Sequence, residues 1–245
     1  MRIALAFLLA CSFARADSLT DLKKTLATLH ATEPLTATVD YQLSNRTGDD
    51  KAAAEGKVSA LVEDRVDGLR IQWARAVMDA AVAEEIARSK DRNLAAPTRR
   101  AMDALNATTL NDYLNGGAQM LRELDQAELV EEKAVQWNGQ PARLLSLKIT
   151  PVLSEKDKKY IKEIEASGKV WVDAEGWPLA AEQSLHLKGR AMLVITFEQT
   201  ERQELRYARM AGRLVTIYHL KESHGSGGGE SGQNKTITTL TVAKS

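Results

Sequence analysis

The histidines are the first side chains to test as metal ligands or general bases. They are His30, His186, His219 and His224. A metal site needs ligands that converge, as two histidines do when they stand one helical turn apart on the same helix face. His219 and His224 are separated by a predicted strand end and the start of a glycine-rich stretch, so they do not converge. We interpret the histidines as surface residues and expect no metal site.

Carboxylates and nucleophiles are no better arranged for catalysis. Glu84-Glu85 and Glu131-Glu132 are neighbours in sequence, so the two members of each pair point to different sides of a helix or strand. The sequence has no Gly-x-Ser-x-Gly nucleophile elbow, and its one cysteine, Cys11, lies in a predicted export segment. We therefore expect a protein that is not an enzyme and carries no cofactor.

The composition excludes one class of partner. Lysine plus arginine and aspartate plus glutamate both number 33, so the formal net charge is zero, and aromatic residues are 5% of the chain. A nucleic-acid-binding domain needs a basic surface and usually aromatic stacking platforms. We expect no nucleic-acid partner.

The amino terminus is typical of an exported precursor. Arg2 precedes an apolar run, Ile3 to Ala10, that is too short to span a bilayer. Ala14-Arg15-Ala16 then forms a small-x-small cleavage site. The sequence thus predicts a signal peptide over residues 1–16, a mature domain over residues 17–245, and a periplasmic location without membrane integration.

The stretch from Leu8 to Cys11 also resembles a lipobox, in which the cysteine is lipidated and becomes the first mature residue. The apolar run before Cys11 is very short, so we favour cleavage after Ala16 over lipid anchoring at Cys11.

The periodicity of the apolar residues predicts the order of the elements. Four leucines, Leu19, Leu22, Leu26 and Leu29, mark a helix over 18–30, and alternation over 36–73 predicts three antiparallel strands. Helices follow over 74–94, from Pro97, and over 109–125, where Gly116-Gly117 indicates a close packing contact.

About eight strands are predicted after Ala127, with a hairpin at Asn138-Gly139. Ser154 and Asp157 indicate one further helix, and residues 225–232 indicate a flexible loop. This order predicts an α+β fold with helices on one face of a curved antiparallel sheet.

This organisation resembles the lipoprotein-carrier superfamily, the LolA/LolB-like half-barrels that include RseB-type periplasmic sensors. The resemblance rests on DSLTDLKKTLATL at Asp17–Leu29, EGKV at Glu55–Val58, LRIQW at Leu69–Trp73, VWVD at Val170–Asp173 and the strands that follow. It implies a half-barrel whose helices pack on the concave face of the sheet. It also implies that the chain binds an apolar ligand.

Three functions remain open. The leading hypothesis is an exported binding or carrier protein for a lipid, acyl chain or lipoprotein, and an apolar tunnel between sheet and helices favours it. The second is an envelope interaction or regulatory protein that binds a protein partner, favoured by a packed core with an exposed apolar patch. The third is an enzyme whose site is assembled from distant residues, favoured by a cleft with converging polar groups. The residues expected to line an apolar site are Leu69, Ile71, Trp73, Met78, Val82 and Leu121.

Overall fold

The computed structural model describes residues 15–31, 33–48, 53–191 and 195–243, and these contain five α-helices and ten β-strands. The helices are α1 (Arg15–Ala27), α2 (Arg75–Lys90), α3 (Pro97–Ala104), α4 (Ala107–Leu114) and α5 (Gly116–Leu124). The strands are β1 (Leu35–Thr47), β2 (Ala54–Arg65), β3 (Gly68–Trp73), β4 (Ala127–Trp137), β5 (Gln140–Ile149), β6 (Ile161–Val172), β7 (Pro178–Ala191), β8 (Ile195–Met210), β9 (Arg213–Gly227) and β10 (Glu230–Val242).

The ten strands form one antiparallel sheet in the order β3-β2-β1-β10-β9-β8-β7-β6-β5-β4. Neighbours in this order are also neighbours in sequence, except that β1 pairs with β10 and sets Val39 opposite Leu240. This pair joins the early strands to the late ones, so the prediction of an α+β fold with a single antiparallel sheet is confirmed.

Three two-residue turns join long strands. Both residues have positive φ at Asn138-Gly139 (48° and 80°), Ala211-Gly212 (52° and 71°) and Gly228-Gly229 (62° and 87°). Two positive φ angles define the type I′ turn, whose twist matches that of the strands it joins. The predicted hairpin at Asn138-Gly139 is confirmed. The flexible loop predicted over 225–232 is wrong, because β9 and β10 remain paired up to Gly228-Gly229.

Helices cover one face of the sheet, which we call the helix face; the other is the open face. α3 contacts β1 and β2, α4 and α5 contact β9, and α1 and α5 contact β4. The helices pack on this face because alternate side chains of each strand, as in β1, form a continuous apolar surface. The buried residues of β1 are Leu35, Ala37, Val39, Tyr41 and Leu43.

The buried apolar side chains of the helix face form two clusters. The first lies under α3 and α4 and includes Val62 and Leu110. The second lies under α1 and α5, where Leu22 and Leu26 of the predicted leucine stripe are each only 2% exposed. Burial of a leucine side chain contributes about 1.5–3 kcal/mol, so the stripe holds α1 on the sheet.

The helix predicted over 109–125 is two helices, α4 and α5, which meet at Asn115. The close packing predicted at the glycine pair is present, since both glycines are buried. A Cβ on Gly116 would lie 2.8 Å from Oγ1 of Thr216, and one on Gly117 would lie 2.7 Å from Cδ1 of Leu29. The break therefore lets the chain approach both β9 and the segment after α1.

The helix predicted after Ser154 is wrong. The capping interaction exists, since the Asp157 N–H donates to Oγ of Ser154 at 3.2 Å. Only a 3-10 turn follows, Asp157–Lys159, and β6 begins at Ile161. The late strands are also longer and fewer than predicted: seven follow the helices, and β8 runs without a break through 195–210. Polar residues occupy both faces of β8 over 198–204, so no alternation marks that stretch.

Within the part of the chain that the structure describes, no helix is long and apolar enough to span a membrane. The predicted signal peptide and Cys11 fall largely on residues 1–14, outside the described residues.

Candidate functional site

Apolar side chains of the two core clusters fill part of the space between the helices and the sheet. A cavity of about 20 Å³ remains between α5 and strands β4–β7, lined in part by Met120, Leu147 and Gly168. That volume is enough for one water molecule and far too small for an acyl chain. This cavity therefore cannot be the predicted acyl-chain site.

An open apolar groove lies instead at one edge of the fold, between α2 and α3 and beside the end of β3. Its volume is about 440 Å³. We call it the α2–α3 groove. It is lined by Trp73, Met78, Ala81, Val82, Glu85, Ile86, Arg99, Met102, Asp103 and Leu105.

α2 presents its apolar stripe to solvent. Met78, Val82 and Ile86 stand four residues apart and are 43%, 55% and 54% exposed, whereas Ala81 is the buried residue of this helix. An amphipathic helix of a globular protein ordinarily buries such a stripe. A contiguous exposed apolar surface of this kind marks an interaction site more often than chance exposure does.

Two hydrogen bonds between α2 and α3 fix the geometry of the groove. The Glu84 carboxylate of α2 accepts hydrogen bonds from the backbone N–H groups of Thr98, at 3.0 Å, and Arg99, at 2.9 Å. These are donors that the first turn of α3 leaves without helical partners. Burial raises the pKa of Glu84, but these backbone donors outweigh it and the net shift is downward. α2 is thereby held to α3 by a charged side chain, while its apolar stripe stays uncovered.

The predicted ligand residues do not all meet at one place. Trp73, Met78 and Val82 line the α2–α3 groove. Leu69 and Ile71 are half-buried on β3 and pack against the first core cluster. Leu121 lies on α5 in a separate hollow of about 410 Å³, beside Leu26 and Leu29.

β3 adds a second feature to this edge of the molecule. It is the last strand of the sheet and pairs with β2 on one side. Among the described residues, no strand pairs with its other side. An unpaired strand edge beside an apolar groove offers a partner both backbone hydrogen bonds and apolar contacts.

A polar network beneath α4 was not anticipated, because its members are far apart in sequence. The Tyr113 hydroxyl is 3.0 Å from Nδ1 of His219 and 3.2 Å from Oγ1 of Thr238. Nε2 of His219 is 2.8 Å from Oε1 of Gln203. An amide oxygen only accepts, so Nε2–H donates to it and Nδ1 accepts the tyrosine proton.

Burial lowers the pKa of His219 to about 4; the nearby charge of Lys221 acts in the same direction and that of Glu201 opposes it. His219 is thus half-buried and hydrogen-bonded through both ring nitrogens, whereas we expected a surface residue. The network ties α4 to β8, β9 and β10 with a neutral imidazole at its centre.

Glu123 on α5 is a second polar group on the helix face. The side-chain amides of Gln119 and Gln183 donate to its two carboxylate oxygens at 3.0 and 2.5 Å. Burial raises the pKa of Glu123, although these two donors oppose the shift. Burial, and then the charge of Glu123, raises the pKa of Tyr207 far above its ordinary value.

Arg213 is a buried charged residue that the sequence analysis did not predict. Its side chain is 5% exposed and donates to Oδ2 of Asp64 and, at 2.6 Å, to the carbonyl of Glu33. It connects the start of β9 to the end of β2 and to the segment before β1. This role is structural, since a buried side chain joins three segments that are distant in sequence.

A polar hollow of about 760 Å³ lies where β1 and β6–β10 extend beyond the helices. Most of its lining side chains belong to the open face and are charged or hydroxylic, among them Arg46, Ser184 and His186. In the described residues, no group of three or more histidines, cysteines and carboxylates is placed to hold a metal ion.

No protein-family model matches the chain, and no curated protein matches it either. Among solved structures, the chain is similar to one described as MucB in complex with MucA(peri). The identity is 8%, 92% of each chain is covered, and the TM-score is 0.16. The class is thus defined by the fold itself: an α+β protein with a ten-stranded antiparallel sheet covered by helices on one face.

Proposed function

We propose that this chain is a binding protein that takes up an apolar segment of another protein in the α2–α3 groove. The observation that supports this most is the exposed stripe of Met78, Val82 and Ile86, which lines the groove. A preformed apolar groove fits an amphipathic segment that lays its own apolar face into it. In this proposal the protein acts after export, by binding another protein, and it does not catalyse a reaction.

A carrier function for an acyl chain or other lipid is the second candidate. The groove volume of about 440 Å³ falls within the range of small-molecule sites, and its walls are mainly apolar. Lipid-binding sites, however, usually enclose most of the ligand surface. A groove open along its length supports a protein segment better than an acyl chain.

The test is saturable binding of a fluorescein-labelled, uncharged amphipathic peptide with leucines at one helical face, followed by fluorescence anisotropy. Wild type is expected to bind it, and Val82→Glu and Ile86→Glu are expected to weaken binding at least about tenfold, because each buries a carboxylate against the peptide. Val152→Glu is the matched control, since Val152 is 80% exposed and lies outside the groove.

A fluorescent long-chain fatty acid is titrated in parallel. Saturable binding of the fatty acid with no binding of the peptide would favour the carrier function. Equal peptide binding by wild type, Val82→Glu and Ile86→Glu would reject the groove as the site. Circular dichroism spectra and denaturation midpoints of all variants show whether each remains folded.

A further inference from the structure

The two ends of the α2–α3 groove differ in charge. Ile86 is the last residue of α2 that lines the groove, and the chain beyond it carries Arg88, Lys90 and Arg92, which are all exposed. Among the described residues, none of the three forms an ion pair or another polar side-chain contact. Asp91 is the acidic residue between them, and its carboxylate accepts a hydrogen bond from the backbone N–H of Asn93 at 3.0 Å. This end therefore carries more positive than negative charge, because three cations face the two carboxylates of Asp91 and Glu85.

The other end is close to neutral. There the side chain of Arg75 pairs with Asp79 at 3.1 Å, at the start of α2. Trp73, which lines the groove, precedes Arg75 by two residues. Since the whole chain has a formal net charge of zero, the basic end is a local feature and not a general background.

We infer that the partner segment is acidic at one end, an inference that rests on the function proposed above. Its apolar side chains lie over Trp73, Met78 and Val82, and its carboxylates face Arg88, Lys90 and Arg92. Opposite charges at the end of an apolar groove set the direction in which a segment enters and speed its encounter with the site. The same charges reject basic amphipathic segments of equal hydrophobicity.

A role of these cations in helix stability does not account for all of them. Arg88 and Lys90 lie in the last turn of α2, where positive charge offsets the helix dipole. Arg92 lies beyond the end of the helix. A measurement of stability beside one of binding separates the two roles, because only the binding role depends on the charge of the peptide.

The shape of the site favours a protein segment over an anionic membrane. Trp73, Met102 and Leu105 line the groove but are not among the strongly exposed apolar residues, so they are recessed behind the stripe of α2. A flat bilayer surface reaches the stripe without filling the groove, whereas a narrow segment with side chains fills it.

The experiment compares three labelled peptides that share one leucine face and differ in their last residues, which are glutamates, glutamines or lysines. At low ionic strength the glutamate peptide is expected to bind wild type about tenfold more tightly than the glutamine peptide, and the lysine peptide more weakly still. High salt is expected to abolish most of the difference.

The triple variant R88Q, K90Q and R92Q is expected to bind all three peptides alike, with the affinity of wild type for the glutamine peptide. The matched control is K158Q, K159Q and K162Q, which removes three exposed lysines far from the groove in sequence and on no element that lines it. It is expected to keep the preference of wild type.

Each other outcome has a distinct meaning. Equal binding of the three peptides by wild type overturns the inference and leaves the proposed function standing. Failure of all three to bind overturns both. Vesicles of phosphatidylglycerol and phosphatidylcholine form a further arm, and binding to these vesicles without binding to the glutamate peptide also overturns the inference, in favour of a membrane surface.

Discussion

The Tyr113 hydroxyl on α4 donates a 3.0 Å hydrogen bond to Nδ1 of His219 on β9, and the two rings meet edge to face with their centroids 5.7 Å apart. In this direction the hydrogen bond requires an unprotonated Nδ1, because a protonated Nδ1 can no longer accept the tyrosine proton. It joins a helix to the middle of the sheet, and the two residues are 106 positions apart in the sequence. The docking of α4 is therefore sensitive to the protonation of one histidine.

Acidification is expected to destabilise the protein through His219. Burial lowers the pKa of His219 from 6.5 to about 4, so between these values the unfolded chain binds a proton that the folded chain does not. The free energy of unfolding then falls as the pH drops from about 6.5 to about 4, by up to about 3 kcal/mol. Urea denaturation at several pH values measures this free energy of unfolding. His219→Gln is expected to flatten its dependence on pH between about pH 6.5 and pH 4.

The control is His224→Gln, at an exposed histidine, which is expected to keep the wild-type slope. Identical curves for wild type and His219→Gln would contradict the prediction.

Removal of the Glu84 carboxylate is expected to loosen α2 from α3. Glu84→Ala leaves the N–H groups of Thr98 and Arg99 without their side-chain acceptor, at a cost of about 1–2 kcal/mol. The adjacent Glu85→Ala is the control, because Glu85 is exposed and makes no such bond to α3, and it is expected to be nearly neutral. Chemical denaturation measures both. An equal effect of the two substitutions would show that charge alone, and not the capping geometry, matters.

A methyl group at Gly56 is expected to push β2 away from α3. An ideal Cβ there lies 2.4 Å from the carbonyl oxygen of Pro97, which is backbone and cannot rotate away. Overpacking of this kind costs about 1–3 kcal/mol. Gly232→Ala is the control, because its Cβ would lie at an ordinary 3.6 Å from the nearest atom, a carbonyl oxygen of Arg46. Thermal denaturation that shows the two variants to be equally stable would reject the close approach.

The buried ion pair of Arg213 is expected to matter more than any surface pair. Asp64→Asn leaves the Arg213 guanidinium without its counter-charge where the arginine side chain is 5% exposed, which costs about 3 kcal/mol or more. Asp67→Asn removes a pair with Arg70 whose side chains are 60% and 53% exposed, and is expected to cost less than about 1 kcal/mol. Urea denaturation of both variants gives the comparison, and a loss of similar size in each would refute it.

Export is expected to remove residues 1–16. The sequence motivates this through its basic start, apolar run and Ala14-Arg15-Ala16 cleavage site. Intact-mass analysis of the exported protein is expected to give a chain that starts at Asp17. A diacylated chain that starts at Cys11 would instead identify a lipoprotein.

Local patterns were enough to predict several elements. The leucine steps of α1, the alternation along β1 and the Asn138-Gly139 turn each reflect interactions within a few residues of each other. Such patterns also yield the fold class, since an apolar strand face and an apolar helix stripe have few ways to cover one another. They do not specify ends: β8 continues where polar residues occupy both faces, because strand pairing there depends on β7 and β9.

The candidate site required the tertiary structure. Leu22 and Leu26 on α1 and Val82 and Ile86 on α2 follow the same four-residue step, yet the first two are buried and the last two are more than half exposed. Periodicity shows that a helix has an apolar face, and it contains no information on what covers that face. Whether a stripe becomes core or binding surface is decided by packing between distant segments, as is the neutral state of His219. α1 lies over the sheet, whereas Glu84 holds α2 against α3, at the edge of the fold.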